Sequence, residues 1–282
     1  MNRSGSVSVR SDGSRTLDSD KLWSMQASLI SILGAERGIV CFVGAGGKKT
    51  LMFHLAANHP GRVGITATAH IEHFPRRLDA QVIVDNGPAL LERLDADRAH
   101  PTHRCLAFAK PCDIRGRYEG LSSDELDRVA ATAGFDLIVV KADGARSRLV
   151  KAPAAHEPAL PAHRDLIVPV VSARVLGKPL SNKVAHRPEQ VAEVTGAALG
   201  AIIEPQHLAR LLSSPAGSLK DANGTRLIPV INMVDTPALQ RQARAAAEQA
   251  LSLSDRFDKV VLTAMKRDIA WIEAVSRDEN QR

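Results

Sequence analysis

The stretch "GIVCFVGAGGKKTLMFHLA", residues 38–56, runs from an apolar segment into three glycines, two lysines and a threonine, then turns amphipathic. A strand, a glycine turn and a helix in that order aim backbone N–H groups and the positive end of a helix dipole at one anion, and phosphate is the natural occupant. A GxGxxG dinucleotide fingerprint fails here. Lys49 stands where its third glycine belongs, and the next strand ends in Thr66 rather than an acid. The GxxxxGK[ST] pattern is met imperfectly, with Val43 at its first glycine and Lys48 at its second. Two registers remain. In one, Lys49 reaches the β- and γ-phosphates and Thr50 offers its hydroxyl to Mg²⁺; in the other, Gly44 to Lys48 is a shortened loop followed by Lys49. Only the first puts a metal-binding hydroxyl directly after the lysine. The reading therefore assigns Gly44, Ala45, Gly46 and Gly47 to the cradle, Lys49 with Lys48 to the phosphates, and Thr50 to the metal.

A second constellation is "DLIVVKADGAR", an apolar strand ending in charge, which is how an acid is delivered to Mg²⁺ or its water shell. Asp143 is that acid, a metal ligand and, with Lys49, the catalytic candidate. In an extended chain Lys141 points the same way, so it either pairs with Asp143 or adds a cation near the phosphates. Arg146, Arg148, Lys151, His156 and Glu157 follow within a dozen residues, a second anion cradle or a solvated basic loop. His70, His186 and Arg187 are further candidates for substrate contact or proton transfer. In "PVINMVD", Asn232 and Asp235 are placed to read a base edge, with Met233 giving up the ammonium of an NKxD motif; the alternative is a strand-end turn with Asp235 capping the next helix.

These groups need a scaffold. Strand-like runs recur at about 38–43, 62–66, 81–84, 104–108, 136–141, 165–171, 227–232 and 257–263, and helical patterns fill 49–58, 88–97, 122–133, 187–199, 205–213 and 236–252. A further helix starts at Asp18 or Ser19 and runs to Gly34. The rhythm predicts an α/β three-layer sandwich with a mostly parallel sheet, preceded by a disordered tail over residues 1–19, with 20–282 as one domain. With 282 residues and only 3% aromatics, the core should be aliphatic, as where helices cover both faces of a parallel sheet. Residues 144–164 read as a long ordered loop beside the site.

A net charge of +6 suits an anionic partner, but acids are mixed among the bases, and one Tyr and two Trp leave little for base stacking. A phosphorylated small molecule is favoured over nucleic acid. Three cysteines without a CxxC pair argue against a disulfide framework or a structural zinc, and no apolar stretch reaches membrane-spanning length. The expectation is a cytoplasmic protein with no membrane partner.

"FVGAGGKKTLMFHLA", "ITATAHI", "VVKADGARSRLVKAPAAHEPALP", "LGKPL", "VAHRPEQVAEVTG" and "IPVINMVD", in this order, resemble the YqeC family, accessory proteins of selenium-dependent molybdenum hydroxylases. The likeness covers about residues 39–261. It implies a P-loop-like protein that binds ATP or GTP with Mg²⁺ and serves maturation or insertion of the molybdenum cofactor or a phosphorylated precursor of it, with the hydroxylase or its maturation proteins as partners. Where the family often has "GAGGKT", "EADG" and "NKxD", this chain departs at Lys49, Lys141 and Met233. A cofactor-binding scaffold that does not hydrolyse nucleotide, and an ATP-dependent ligase or kinase, are the alternatives.

Overall fold

A computed structural model describes residues 29–76, 78–265 and 270–277. The N-terminal tail and the first part of the helix expected over 18–34 fall outside them; the last turn of that helix is present at 29–33.

The glycine-loop strand β1 (Gly38–Gly44) lies inside a ten-stranded sheet. Its partners are β2 (Val63–Ala67), β4 (Gln81–Val84), β5 (Cys105–Ala109), β7 (Leu137–Lys141), β9 (Leu166–Ser172), β11 (Arg226–Leu227), β12 (Val230–Asn232), β13 (Lys259–Ala264) and β14 (Trp271–Ser276). The order is β14-β13-β12-β9-β1-β7-β2-β5-β4, with β11 beside β9. Every neighbouring pair is parallel except β13 with β14. Two-residue ladders outside the sheet join β3 (Ile71–Glu72) to β6 (Arg117–Tyr118) and β8 (Val150–Lys151) to β10 (Ala185–His186).

The strands are continuous apolar runs because both of their faces are covered. Ile39, Cys41 and Val43 of β1 enter one core cluster, while Val40 and Phe42 enter the other. On the Phe42 side lie helix α1 (Lys48–Asn58), through Leu51, Met52 and Leu55, and the turn at 29–33. On the other side lie α2 (Gly87–Ala99), α3 (Ser123–Thr132), α4 (Pro188–Thr195), α5 (Pro205–Ser213) and α6 (Pro237–Leu253). This is the three-layer, P-loop-like α/β architecture that the rhythm of the sequence predicts. Helix starts follow the capping signals: Ser122 accepts from the Glu125 N–H and the Glu125 carboxylate answers the Ser122 N–H.

Local differences have local causes. The strand expected over 227–232 divides into β11 and β12 because Pro229 has no N–H to give the ladder. The helix expected over 187–199 stops at Thr195, where Gly196 takes a left-handed φ of 75°. The 144–164 loop contains β8, and β14, whose pattern is broken by Glu273, was not foreseen. No helix among the described residues is long and apolar enough to cross a membrane.

Phe42 is fully buried against the α1 layer. Phe42→Ala should cost about 3–5 kcal/mol in urea unfolding, the range for emptying an aromatic core position; a loss below about 1 kcal/mol would show that the α1 layer does not rest on it.

Candidate functional site

At the end of β1 the chain turns through Gly44, Gly46 and Gly47 at φ 88°, 88° and 109°, and Gly47 caps α1 at its first residue, Lys48. Gly46 admits no side chain: a Cβ there would lie 2.5 Å from the Ser172 nitrogen and 2.9 Å from the Leu149 oxygen. The Ala45 and Gly46 N–H groups are spent on Val170 O and Arg148 O, at 2.8 and 3.1 Å. The first N–H groups of α1 have no partner within their own helix and point out of its end.

Both lysines of the loop are accounted for, in different ways. Lys48 is 5% exposed; its ammonium donates to Gly44 O inside the loop and lies 2.8 Å from Asp143 Oδ1. Burial pushes the Lys48 pKa down, and the Asp143 charge opposes that. Lys49 points outward and pairs with Glu72 at the surface. The shortened-loop register is therefore the one with a lysine folded into the glycine turn. Thr50, one residue further along α1, is half-buried and faces the same space.

Asp143 follows β7 by two residues and is 2% exposed. Its Oδ2 accepts from the Gly44 N–H at 2.8 Å and meets Lys151 Nζ at 3.0 Å. Lys151 Nζ in turn contacts Glu157 Oε2 at 2.9 Å, and that oxygen accepts from Arg187 at 2.6 Å. Lys48, Asp143, Lys151, Glu157 and Arg187 thus form one line of alternating charge from the glycine loop to the start of α4. Lys141 does not take the first of its two alternatives. Its Nζ donates to His70 O at 2.7 Å rather than to Asp143, and burial followed by the charge of Lys48 brings its pKa down to about 8.

A pocket of about 600 Å³ opens over these groups. Lys48, Lys49, Thr50, Asp143, His70, Arg146, His156, Glu157, His186 and Arg187 all line it, so the sequence candidates from four separate segments meet there. Lys151 stays behind the wall, 3% exposed. Arg146, Ser147, Arg187 and Met233 also line the pocket with left-handed φ values of 46°, 57°, 60° and 62°. Such strain in residues with a Cβ gathers where ligands are held.

Asn232 and Asp235 lie apart, in a small crevice with Thr50, Arg174 and Met233. Asn232 is 2% exposed; its amide nitrogen donates to Gly46 O at 2.9 Å and its oxygen accepts from Thr263 at 2.9 Å. Both ends of that side chain serve the fold. Asp235 is held by Arg174 at 2.5–2.6 Å, and Thr236, not Asp235, caps α6. Among the described residues no three His, Cys, Asp or Glu side chains stand together as a metal-binding group.

Sequence reasoning missed Thr68, Glu72 and Arg117, which complete the pocket wall. Glu72 and Arg117 face one another across the β3–β6 ladder, and a two-residue strand has no periodicity to read. For Thr68, whose hydroxyl donates to Ala159 O at 2.5 Å, its place right after "ITA" at a strand end was the available signal.

The profile of the YqeC protein family matches residues 40–189. The chain is also similar to protein YqeC of Escherichia coli (strain K12), 31% identical over 216 residues that cover 73% of this chain and 80% of the relative.

Glu157 carries a pH prediction. Burial alone would raise its pKa, but Lys151, the Ala154 N–H and Arg187 outweigh it and hold the carboxyl down to about 2. A depressed acid stabilises above its unfolded pKa of roughly 4.3 and loses that contribution as pH falls toward the folded value. The gap in thermal stability between the parent and Glu157→Gln should be full at neutral pH and shrink below about pH 4. A gap independent of pH would show that the Lys151–Glu157–Arg187 contacts are not ionic.

Proposed function

Because the chain belongs to the YqeC protein family and folds Lys48 back into a glycine loop over a cationic pocket, we propose that it is a cytoplasmic nucleoside-triphosphate-binding accessory protein. In this reading it couples nucleotide binding and hydrolysis to maturation or insertion of a molybdenum cofactor in selenium-dependent hydroxylases. The observation that carries it is the Lys48 ammonium. It is turned into the loop onto Gly44 O and Asp143, oxygen acceptors of the kind a phosphate also offers a lysine. The outward N–H groups of α1 and its dipole complete an anion cradle in which Gly46 and Gly47 keep the wall bare of side chains.

The phosphate lysine in this reading is Lys48, while Lys49 guards the rim through Glu72. Mg²⁺ would enter with the nucleotide, where it supplies charge neutralisation at the phosphates. The Thr50 hydroxyl faces the pocket and fits a direct contact. Asp143 fits a contact through water, since its carboxylate already serves Gly44, Lys48 and Lys151. Asn232, with its amide committed to Gly46 and Thr263, supports the loop rather than a base, so little preference between ATP and GTP is expected.

Calorimetric titration with a non-hydrolysable ATP analogue tests the assignment. Lys48→Ala should weaken binding by on the order of 1.5–3 kcal/mol, the worth of a charge-assisted hydrogen bond, and Lys49→Ala by under about 1 kcal/mol, as for an exposed pair. Parent-like affinity in Lys48→Ala would remove the glycine loop from nucleotide binding. For hydrolysis, phosphate release should require Mg²⁺ and fall on the order of a hundredfold in Asp143→Asn; undiminished release would leave Asp143 a purely structural acid.

A further inference from the structure

The pocket wall carries more positive charge than its own acids neutralise. Glu72 is taken by Lys49, Asp143 by Lys48 and Lys151, and Glu157 by Lys151 and Arg187. Arg146 and Arg148 have no side-chain hydrogen bond or ion pair among the described residues, yet both face the pocket. The cations of the wall fall into two groups. Lys48, Lys49 and Lys141 stand around the loop and the start of α1; Arg146 and Arg187 stand around His186. The two groups are joined behind the wall by a buried chain of contacts that begins on Lys48, runs through Asp143, Lys151 and Glu157, and ends on Arg187.

The second group is also built. His186 and Arg187 are held opposite the 146–151 segment by the β8–β10 ladder, where His186 pairs with Lys151 and Ala185 with Val150. Glu157 braces Arg187 from behind at 2.6 Å. Arg146, Ser147 and Arg187 are three residues with side chains in the left-handed region, at one end of one pocket. A backbone held in that state with no core to fill is spent on aiming side chains. Burial, then the charges of Arg187, Lys151 and Arg146, push His186 below the usual imidazole range, so it stays neutral and offers a ring nitrogen among guanidinium groups.

We propose that Arg146, His186 and Arg187 form a second subsite, which binds a small molecule bearing a phosphate or carboxylate while the glycine loop holds the nucleotide. The planar guanidinium forks suit a bidentate oxyanion, and the 600 Å³ of the pocket leaves room for a ligand beyond the phosphates of the first. The proposal rests on the nucleotide reading in one respect, that the glycine loop takes the other anion. It makes the protein a two-substrate device whose second substrate is recognised by charge at this end.

The test is binding of inorganic phosphate, and separately of acetate, to the full chain saturated with a non-hydrolysable ATP analogue. Phosphorus-31 nuclear magnetic resonance reads the former and calorimetry the latter. Phosphate should bind the saturated protein, and Arg146→Gln and His186→Asn should each weaken it at least tenfold with unchanged thermal melting, since neither side chain has an ion pair to lose among the described residues. Tighter binding of phosphate than acetate identifies a phosphate ester as the ligand; the reverse identifies a carboxylate. Displacement of phosphate by the analogue, or phosphate binding that ignores both variants, overturns the subsite. Lys48→Ala separates the two claims. If the parent binds no nucleotide, but phosphate binding depends on Arg146 and His186 and survives Lys48→Ala, the nucleotide reading fails and the subsite stands.

Discussion

The Asp143 carboxylate, buried two residues beyond the end of β7, is the group on which the rest of the site leans. It accepts the N–H of Gly44, where β1 turns into the glycine loop, and it neutralises Lys48 on one side and Lys151 on the other. Two ammonium groups this deep are tolerable only with such a partner. Removing it would leave Lys48 uncompensated and Lys151 with Glu157 alone, a loss of about 3–5 kcal/mol for a broken buried pair. The same carboxylate also fixes the geometry: the loop cannot open without losing the Gly44 contact, and Lys151 links it onward to Glu157, which in turn holds Arg187. Folding stability and site geometry are therefore held by one set of contacts.

The electrostatic consequence is a wall whose acids face inward toward lysines and arginines, while the remaining cations face the cavity. Lys141 illustrates the cost. Buried, and with Lys48, Lys151 and Lys49 around it, it holds its proton less firmly than an ordinary lysine and has one backbone oxygen, that of His70, as acceptor. Opposite charge placed near these groups would favour the protonated form of Lys141.

Much of this was legible in the chain, and the limits were physical. The sheet strands were visible because burial on both faces makes them uninterrupted apolar runs, and α3 because its capping box is written in Ser122 and Glu125. Many of the residues gathered around the pocket were named from residue type and spacing. The register of the two lysines was not legible: adjacent residues on a helix point about 100° apart, and only the position of Asp143 and Gly44 decides which one turns inward. The use of Asn232 was hidden for a similar reason, since Gly46 and Thr263, its partners, are distant in sequence. Glu72 and Arg117 gave no sign because a two-residue ladder is set by tertiary contact and not by pattern.

The long connections that build the site have a further consequence, for the time order in which the protein becomes itself. The glycine loop is tied to Asp143 across 99 residues and to Asn232 across 186, and Thr68 to Ala159 across 91. Each tie closes a large loop of chain before it returns any contact, which makes such topologies slow to form. A nascent chain released from the ribosome through Ala142 has its first strands and α1 but not Asp143, the acid that pairs with Lys48. The cavity is thus a late product of folding, absent from partly assembled forms, and a ligand that enters it selects only molecules whose sheet is complete.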